Sequence, residues 1–329
     1  MKRFLAIFLA MVMVFAMAVC GNAFAADTEE KYPDMVTIVC GYSAGGSSDF
    51  MCRTLQTSLE KVLGIPVIVE DMPGSSSWLE LAEMLQTKPE DADGSRLYLA
   101  GTSVGSGYYD PENPREWTFD DFIPMASQVI DKSVICIRND DDRFSDFKSL
   151  LEYSKDNTLL IAATSVRYGS DDVTFCEKIK LASDAFNYEI VQTDSSKENE
   201  VMFLQGSTDV LVANIGDVLP GVEAGTYKAI VVGSSERSAL LPEVPTTYEL
   251  GYEVENASYR GYGYPAATPD YLVKWMRDAL TEAIMDPECV ETLAKTGAET
   301  VMNIGDDYLA VLQKDLEDGL KTWPELNWR

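Results

Sequence analysis

The 329-residue sequence contains no histidine, and that single absence removes much catalytic and metal chemistry. A Ser-His-Asp relay cannot be drawn without the imidazole that takes the serine proton. Zinc sites that use histidine are excluded with it, and the six cysteines show no C-x-x-C spacing, so no metal and no cofactor is expected. Basic residues are also scarce, with 26 Lys and Arg against 54 Asp and Glu and a formal net charge of −28. Nucleic acid and anionic membrane surfaces are poor partners for such a chain. After the first 25 residues no apolar run approaches the length needed to span a bilayer.

Those first residues, MKRFLAIFLAMVMVFAMAVCGNAFA, combine Lys2 and Arg3 with an apolar stretch and an Ala23-Phe24-Ala25 cleavage site. They read as a secretory signal peptide, residues 1–25, removed in the mature protein. Val19 fits poorly before a lipid-modified Cys20, so soluble export to the periplasm is expected in preference to a lipid anchor. Cleavage takes the net charge from −28 to −30 and leaves Cys40, Cys52, Cys136, Cys176 and Cys289. An odd number leaves at least one unpaired. Cys40 and Cys52 flank one loop, but buried free thiols are the expected state on strand and helix faces.

From Val36 onward short β-rich runs alternate with helical ones. VTIVC is followed by a helix from Phe50, then PVIVE, WLELAEMLQ and RLYLAG. Continuous apolar strands of this kind belong to parallel sheets covered on both faces by helices. After DDFIPMASQVIDKSVICIR the pattern restarts with a helix capped by Ser145, then TLLIAAT, DDVTFCEKIKLA, YEIVQT, KENEVMFLQG, TDVLVAN, GDVLPGVEAG and YKAIVVG. Thr268-Pro269 and Asp286-Pro287 each place a capping residue before a proline at the first helical position. Some 300 mature residues exceed one typical domain. The expectation is an α/β fold of two lobes, each a mainly parallel sheet flanked by helices, with a ligand in the cleft between them. Lobe 1 spans 26–125 plus 246–329, and lobe 2 spans 126–245.

One loop stands out. Gly41 to Gly45 spell G-x-S-x-G, the nucleophile-elbow pattern, between a strand and a helix. Without histidine, and with no lysine in the loop, Ser43 lacks a base, so a Ser43 hydrolase is the weakest reading. Gly45 and Gly46 instead permit a close approach by a ligand, and Asp49 is placed to cap the following helix. N–H groups at the positive end of a helix make an anion site. No lysine follows the glycines as a phosphate-binding loop requires, so a carboxylate suits the site better. Further small polar residues lie at other strand ends: Ser75 and Ser76 in PGSSSW, Thr102 and Ser103 in AGTSVGSG, and Thr164, Ser165, Arg167, Tyr168, Gly169 and Ser170 in ATSVRYGSDD. Arg167 is placed either to grip a ligand carboxylate or to pair with Asp171 or Asp172. Asp171, Asp172 and Asp194 also leave room for a zwitterion whose ammonium needs an acceptor.

TIVCGYSAGGSSD, GIPVIVEDMPGSSSW, WTFDDFIPMASQV, GSTDVLVANIGDVLPGVEAG, RSALLPEVPTTYELGY and YRGYGYPAATPDYLV follow one another in the order seen in substrate-binding proteins of tripartite tricarboxylate transporters. The chain resembles this Bug or TctC-type family from about Met35 to about Leu320. The resemblance implies an exported, monomeric, non-enzymatic two-lobed binding protein, similar to type II periplasmic binding proteins. Such a protein captures a small organic carboxylate and delivers it to membrane permease subunits. It also implies that Tyr42, Ser43, Ala44, Gly45, Gly46, Ser47, Ser48 and Asp49 grip the ligand with the Thr164–Ser170 loop, largely through backbone N–H groups and water, and that Asn214 lines the site. Departures bear on the ligand. Gly41 stands where proline is usual, Ser43 replaces a common proline, Val173 a frequent histidine and Ala213 a common aspartate, and Asp194 a place often basic, while Arg167 is added. They put the usual di- and tricarboxylates in question. A carboxylate-sensing subunit on the same scaffold is the alternative.

Overall fold

The structure is a computed structural model that describes residues 30–329 except 75–76, 103, 105–116, 165–169, 194 and 324–329. The expected signal peptide and Cys20 lie outside the described residues.

Strand β1 (Val36–Cys40) lies between β2 (Val67–Asp71) and β3 (Arg96–Leu99), parallel to both. All five of its residues are buried, as its unbroken apolar run requires. β4 (Phe122–Arg138) is a 17-residue strand. Up to Lys132 it pairs antiparallel with β9 (Ala257–Pro265), and at Val129 and Ile130 also with β10 (Glu299–Thr300). From Ser133 it pairs antiparallel with β7 (Leu211–Asn214), and from Val134 with β8 (Tyr227–Val232). β9 also pairs antiparallel with β3. β5 (Leu159–Ala163) and β6 (Tyr188–Gln192) run parallel, and Ile161 bridges to Val210 beside β7. The parallel ladders thus fall where helical crossovers are expected from the sequence, while β4 and β9 add antiparallel ladders that join the two sets. Pro33–Arg329 forms one compact unit in consequence. Pro124 cannot donate to a ladder, and the β4–β9 register shifts just after it.

The described helices are α1 (Ser47–Leu63), α2 (Trp78–Gln86), α3 (Phe147–Asp156), α4 (Asp171–Ser183), α5 (Ser196–Leu204), α6 (Ile215–Glu223), α7 (Asp270–Ile284), α8 (Pro287–Ala294) and α9 (Asp306–Thr322). Three termini differ from the sequence reading. α1 begins at Ser47 rather than Phe50, because Gly46 is extended and serves as N-cap. Asp146, not Ser145, caps α3, exchanging hydrogen bonds with Ser149 in a capping box. Pro269 is itself the N-cap of α7, which leaves Thr268 outside. Asp286 caps α8 with Pro287 at the start, as its sequence indicates.

Two main cores flank the junction. Ile38, Leu55, Leu59, Tyr262, Met276 and Leu280 pack on one side, and Ile135, Phe147, Leu150, Ile161, Phe175 and Val231 on the other. Val173 is wholly buried in a smaller cluster with Leu316 and Trp323, so it packs a core and does not face a ligand. Cys40, Cys52, Cys136, Cys176 and Cys289 are all buried free thiols.

Candidate functional site

The Gly41–Gly46 loop leaves the carboxyl end of β1 and enters α1. A Cβ on Gly41 would lie 2.5 Å from the Ser77 Cβ and 2.8 Å from Glu80 Oε2, so no larger residue fits there. Gly45 has φ +82°, in the left-handed region that favours glycine. The Gly46 N–H donates to the Ser43 carbonyl at 3.3 Å, closing a turn. Asp49 does not act as N-cap. From the third position of α1 it reaches back to accept the Gly45 N–H at 2.7 Å and pairs with Arg53 at 2.6 Å. That spends one of the loop's donors internally. The first N–H groups of a helix have no intrahelical acceptor, and Ser47 and Ser48, which carry them here, line the cleft.

This cleft has a volume of about 820 Å³. Tyr42, Ser43, Ala44, Gly45, Gly46, Ser47 and Ser48 form one wall, and Thr102, Thr164, Ser170 and Asn214 also line it. The structure therefore brings these sequence-identified positions together. Asp49 is not among the lining residues, and Ser75, Ser76, Ser103, Ser165, Arg167, Tyr168, Gly169 and Asp194 lie outside the described residues. Asn214 lines the cleft, but its amide is already engaged: Nδ2 donates to the Asp131 carbonyl and to Asp171 Oδ2, each at 3.0 Å. It braces the site.

Sequence reasoning missed the charged floor. Arg260, on β9, points its guanidinium at Asp131 on β4, Nη1 to Oδ2 3.4 Å, with side chains 14% and 1% exposed. Gly216 at the start of α6 donates its N–H to Asp131 Oδ1 at 3.0 Å. Burial nonetheless pushes the Asp131 carboxyl up to about 7. The only sequence signal for Arg260 lay in YRGYGYP, whose polar residues give no clue that one faces a cleft. Lys178, Asp217 and Asp315 line the same cavity. Burial pushes Asp315 up to about 7 and lowers the Lys178 ammonium. Lys178 donates to the Glu255 carbonyl at 2.9 Å and to Asn256 Oδ1 at 3.0 Å. Asn256 in turn donates to Ser133 Oγ and to the Asp171 carbonyl. The arrangement offers backbone donors on one side, one guanidinium in the floor, and carboxylates opposite. Among the described residues no group of three or more Cys, Asp or Glu is placed to hold a metal ion.

Known proteins resemble this chain along most of its length. The model of the tripartite tricarboxylate transporter family receptor, TctC, matches residues 51–322. Protein BugT of Bordetella pertussis is 26% identical over 297 residues, 89% of this chain and 88% of that protein. A TctC solute-binding protein from Polaromonas superposes with TM-score 0.74 at 20% identity, over 90% of this chain and 100% of that one. MatC from Rhodopseudomonas palustris, solved with malate, gives 0.73 at 21% identity, over 90% and 100% of the two chains. A second protein of that organism, solved with adipate, gives 0.78 at 19% identity, over 89% and 98%.

Proposed function

The chain belongs to the tripartite tricarboxylate transporter receptor family and has the mixed α/β fold of periplasmic binding proteins, and from that premise we propose that it captures a small organic carboxylate outside the cytoplasm and hands it to the permease subunits of a tripartite transporter. The observation that carries this reading is the Tyr42–Ser48 loop at the N-terminus of α1, which presents backbone donors to the cleft where a planar anion fits. The malate and adipate seen in two structural neighbours are ligands of this chemistry. The protein works as a monomer and is not an enzyme: Ser43 lines the cleft with no histidine anywhere in the chain to activate it. The lobes, 26–125 with 246–329 and 126–245, close over the ligand, so that a permease reads the closed form. Export follows from the 1–25 leader. No described helix is long and apolar enough to cross a membrane.

The test is a screen of mono-, di- and tricarboxylates against mature chain refolded from denaturant to strip carried-over ligand. A true ligand stabilises by RT ln(1 + [L]/Kd), about 2.7 kcal/mol at a hundredfold excess over Kd. If no carboxylate shifts the melting temperature, the reading fails.

A further inference from the structure

Beneath the glycine loop lies a buried acid that carboxylate capture alone does not use. Ser77-Trp78-Leu79-Glu80 opens α2 with the spacing of a capping box, in which the serine and glutamate side chains take up the first backbone N–H groups. The box does not form. Ser77 is the N-cap with φ +69°, left-handed for a residue with a side chain, and its buried hydroxyl makes no hydrogen bond. Glu80 turns toward the loop instead. Its Oε2 lies 2.8 Å from where a Cβ on Gly41 would be, so the bare glycine makes the room that the carboxyl occupies. Gly41 and Ser77 line the cleft, and Glu80 stands wholly buried behind them. A local capping rule broken beside a ligand loop, at the expense of helix stability, is a mark of function.

The groups that face Glu80 do not neutralise a charge there. Cys40 approaches from β1, Cys52 from α1 and Glu83 from one turn along α2, and β3 offers the Leu99 backbone. Arg53 is taken up by Asp49 and Asp71, and Arg96 by Glu70 and Glu83. Among the described residues no lysine or arginine pairs with Glu80. A carboxylate so placed is costly in its charged form. An anion held by the Tyr42–Ser48 loop would add a second negative charge above the same spot.

We propose that Glu80 is a positioning residue for the carboxylate: its protonated form supports the glycine loop, and capture of the anion is coupled to that proton. The inference rests on the carboxylate reading above and adds a proton to it. With the carboxyl neutral, the loop receives an anion over an uncharged support. Once ionised, Glu80 repels the ligand from below, so affinity falls as pH rises through its titration. Binding in that window takes a proton from solvent onto the Glu80 carboxylate, since proton and ligand favour each other reciprocally.

The experiment titrates malate, adipate and pentanoate by calorimetry into refolded, ligand-free mature chain. It runs from about pH 6.5 to about pH 9.5, where carboxylates in water are ionised, in two buffers of different protonation enthalpy. A ligand that binds should lose roughly tenfold in affinity across the range, the size expected of one charge held several ångströms beneath another, and should bind with proton uptake. Asp131, Asp172, Asp217 and Asp315 are also raised by burial around the cleft, so the Glu80 share is the difference between wild type and Glu80→Gln. Glu80→Gln should hold the acid-end affinity of wild type to the alkaline end and lose most of the proton uptake. Cys40→Ser should keep both. Glu80→Ala, which removes the support, should bind about tenfold more weakly than Glu80→Gln at every pH. Should Glu80→Gln not fold, Glu80→Met, uncharged and of similar length, replaces it for the slope. Equal slope and proton uptake in wild type and the neutral variant overturn the inference, as does their loss in Cys40→Ser alone or equal binding by Glu80→Ala and Glu80→Gln. The carboxylate reading then stands. If none of the three ligands binds at any pH, the inference falls together with that reading.

Discussion

The guanidinium of Arg260 and the carboxylate of Asp131 meet across neighbouring strands, 3.4 Å apart, beneath the cleft. Asp131 is nearly inaccessible, with Asp171 and Asp217 adding negative charge nearby, and Arg260 is the cation that offsets them. Asp131 sits near the last residues of β4 to pair with β9, where β7 and β8 take over. Its ionisation is therefore tied to the floor of the site.

A pH dependence of stability follows. Asp131 is raised from the ordinary aspartate range to about 7 in the folded chain. Between about pH 4 and pH 7 the folded state thus binds a proton that the unfolded state has lost, and stability falls as pH rises through that window. Asp131→Asn removes this contribution and should flatten the slope by up to about 1.4 kcal/mol per pH unit. Denaturant unfolding of ligand-free protein at pH 5, 6 and 7 measures it.

Gly41 tests the loop. Gly41→Ala would press a methyl group against Ser77 and Glu80, and overpacking of this kind costs roughly 1–3 kcal/mol. Because the displaced segment carries the donor wall, ligand affinity should fall by about tenfold or more, which calorimetry would register together with the lower melting temperature.

Ser43 offers the opposite expectation. If the loop acts through its backbone, Ser43→Ala should change carboxylate affinity by no more than about threefold, the size of one weak neutral hydrogen bond. A panel of p-nitrophenyl esters should show no turnover by either protein.

Glu80 lies directly under the loop, wholly buried, with the Leu99 backbone approaching its carboxylate but no hydrogen bond of good geometry to either oxygen among the described residues. Burial pushes its carboxyl well above the ordinary range. Glu80→Gln keeps the shape without the charge and should stabilise the protein by about 1–2 kcal/mol at pH 8. That gain should vanish toward pH 4, where Glu80 is protonated both folded and unfolded. Paired unfolding curves at the two pH values decide it.

Local structure was legible in the sequence where neighbours decide it. VTIVC reads as a buried strand because every residue is apolar, and Asp286-Pro287 starts a helix because cap and proline are adjacent. The glycine loop was legible too, since turn geometry demands particular residues. Long-range placement was not. Nothing local marks Asp131 as the partner of Arg260, 129 positions away, nor β4 as one strand shared by two sets of ladders. Asp49 shows the limit at close quarters: its type fits a cap, yet position within the first turn decides whether it serves a ligand or the Gly45 N–H.

The five thiols have a practical meaning for maturation. All are sequestered, including Cys40 and Cys52 at either end of the glycine loop, and sequestered thiols react slowly with oxidants. The fold is thus complete with all five thiols reduced, Cys40 and Cys52 meeting as a hydrogen-bonded pair. A binding protein built this way holds its glycine loop by packing and hydrogen bonds, with no covalent cross-link between Cys40 and Cys52.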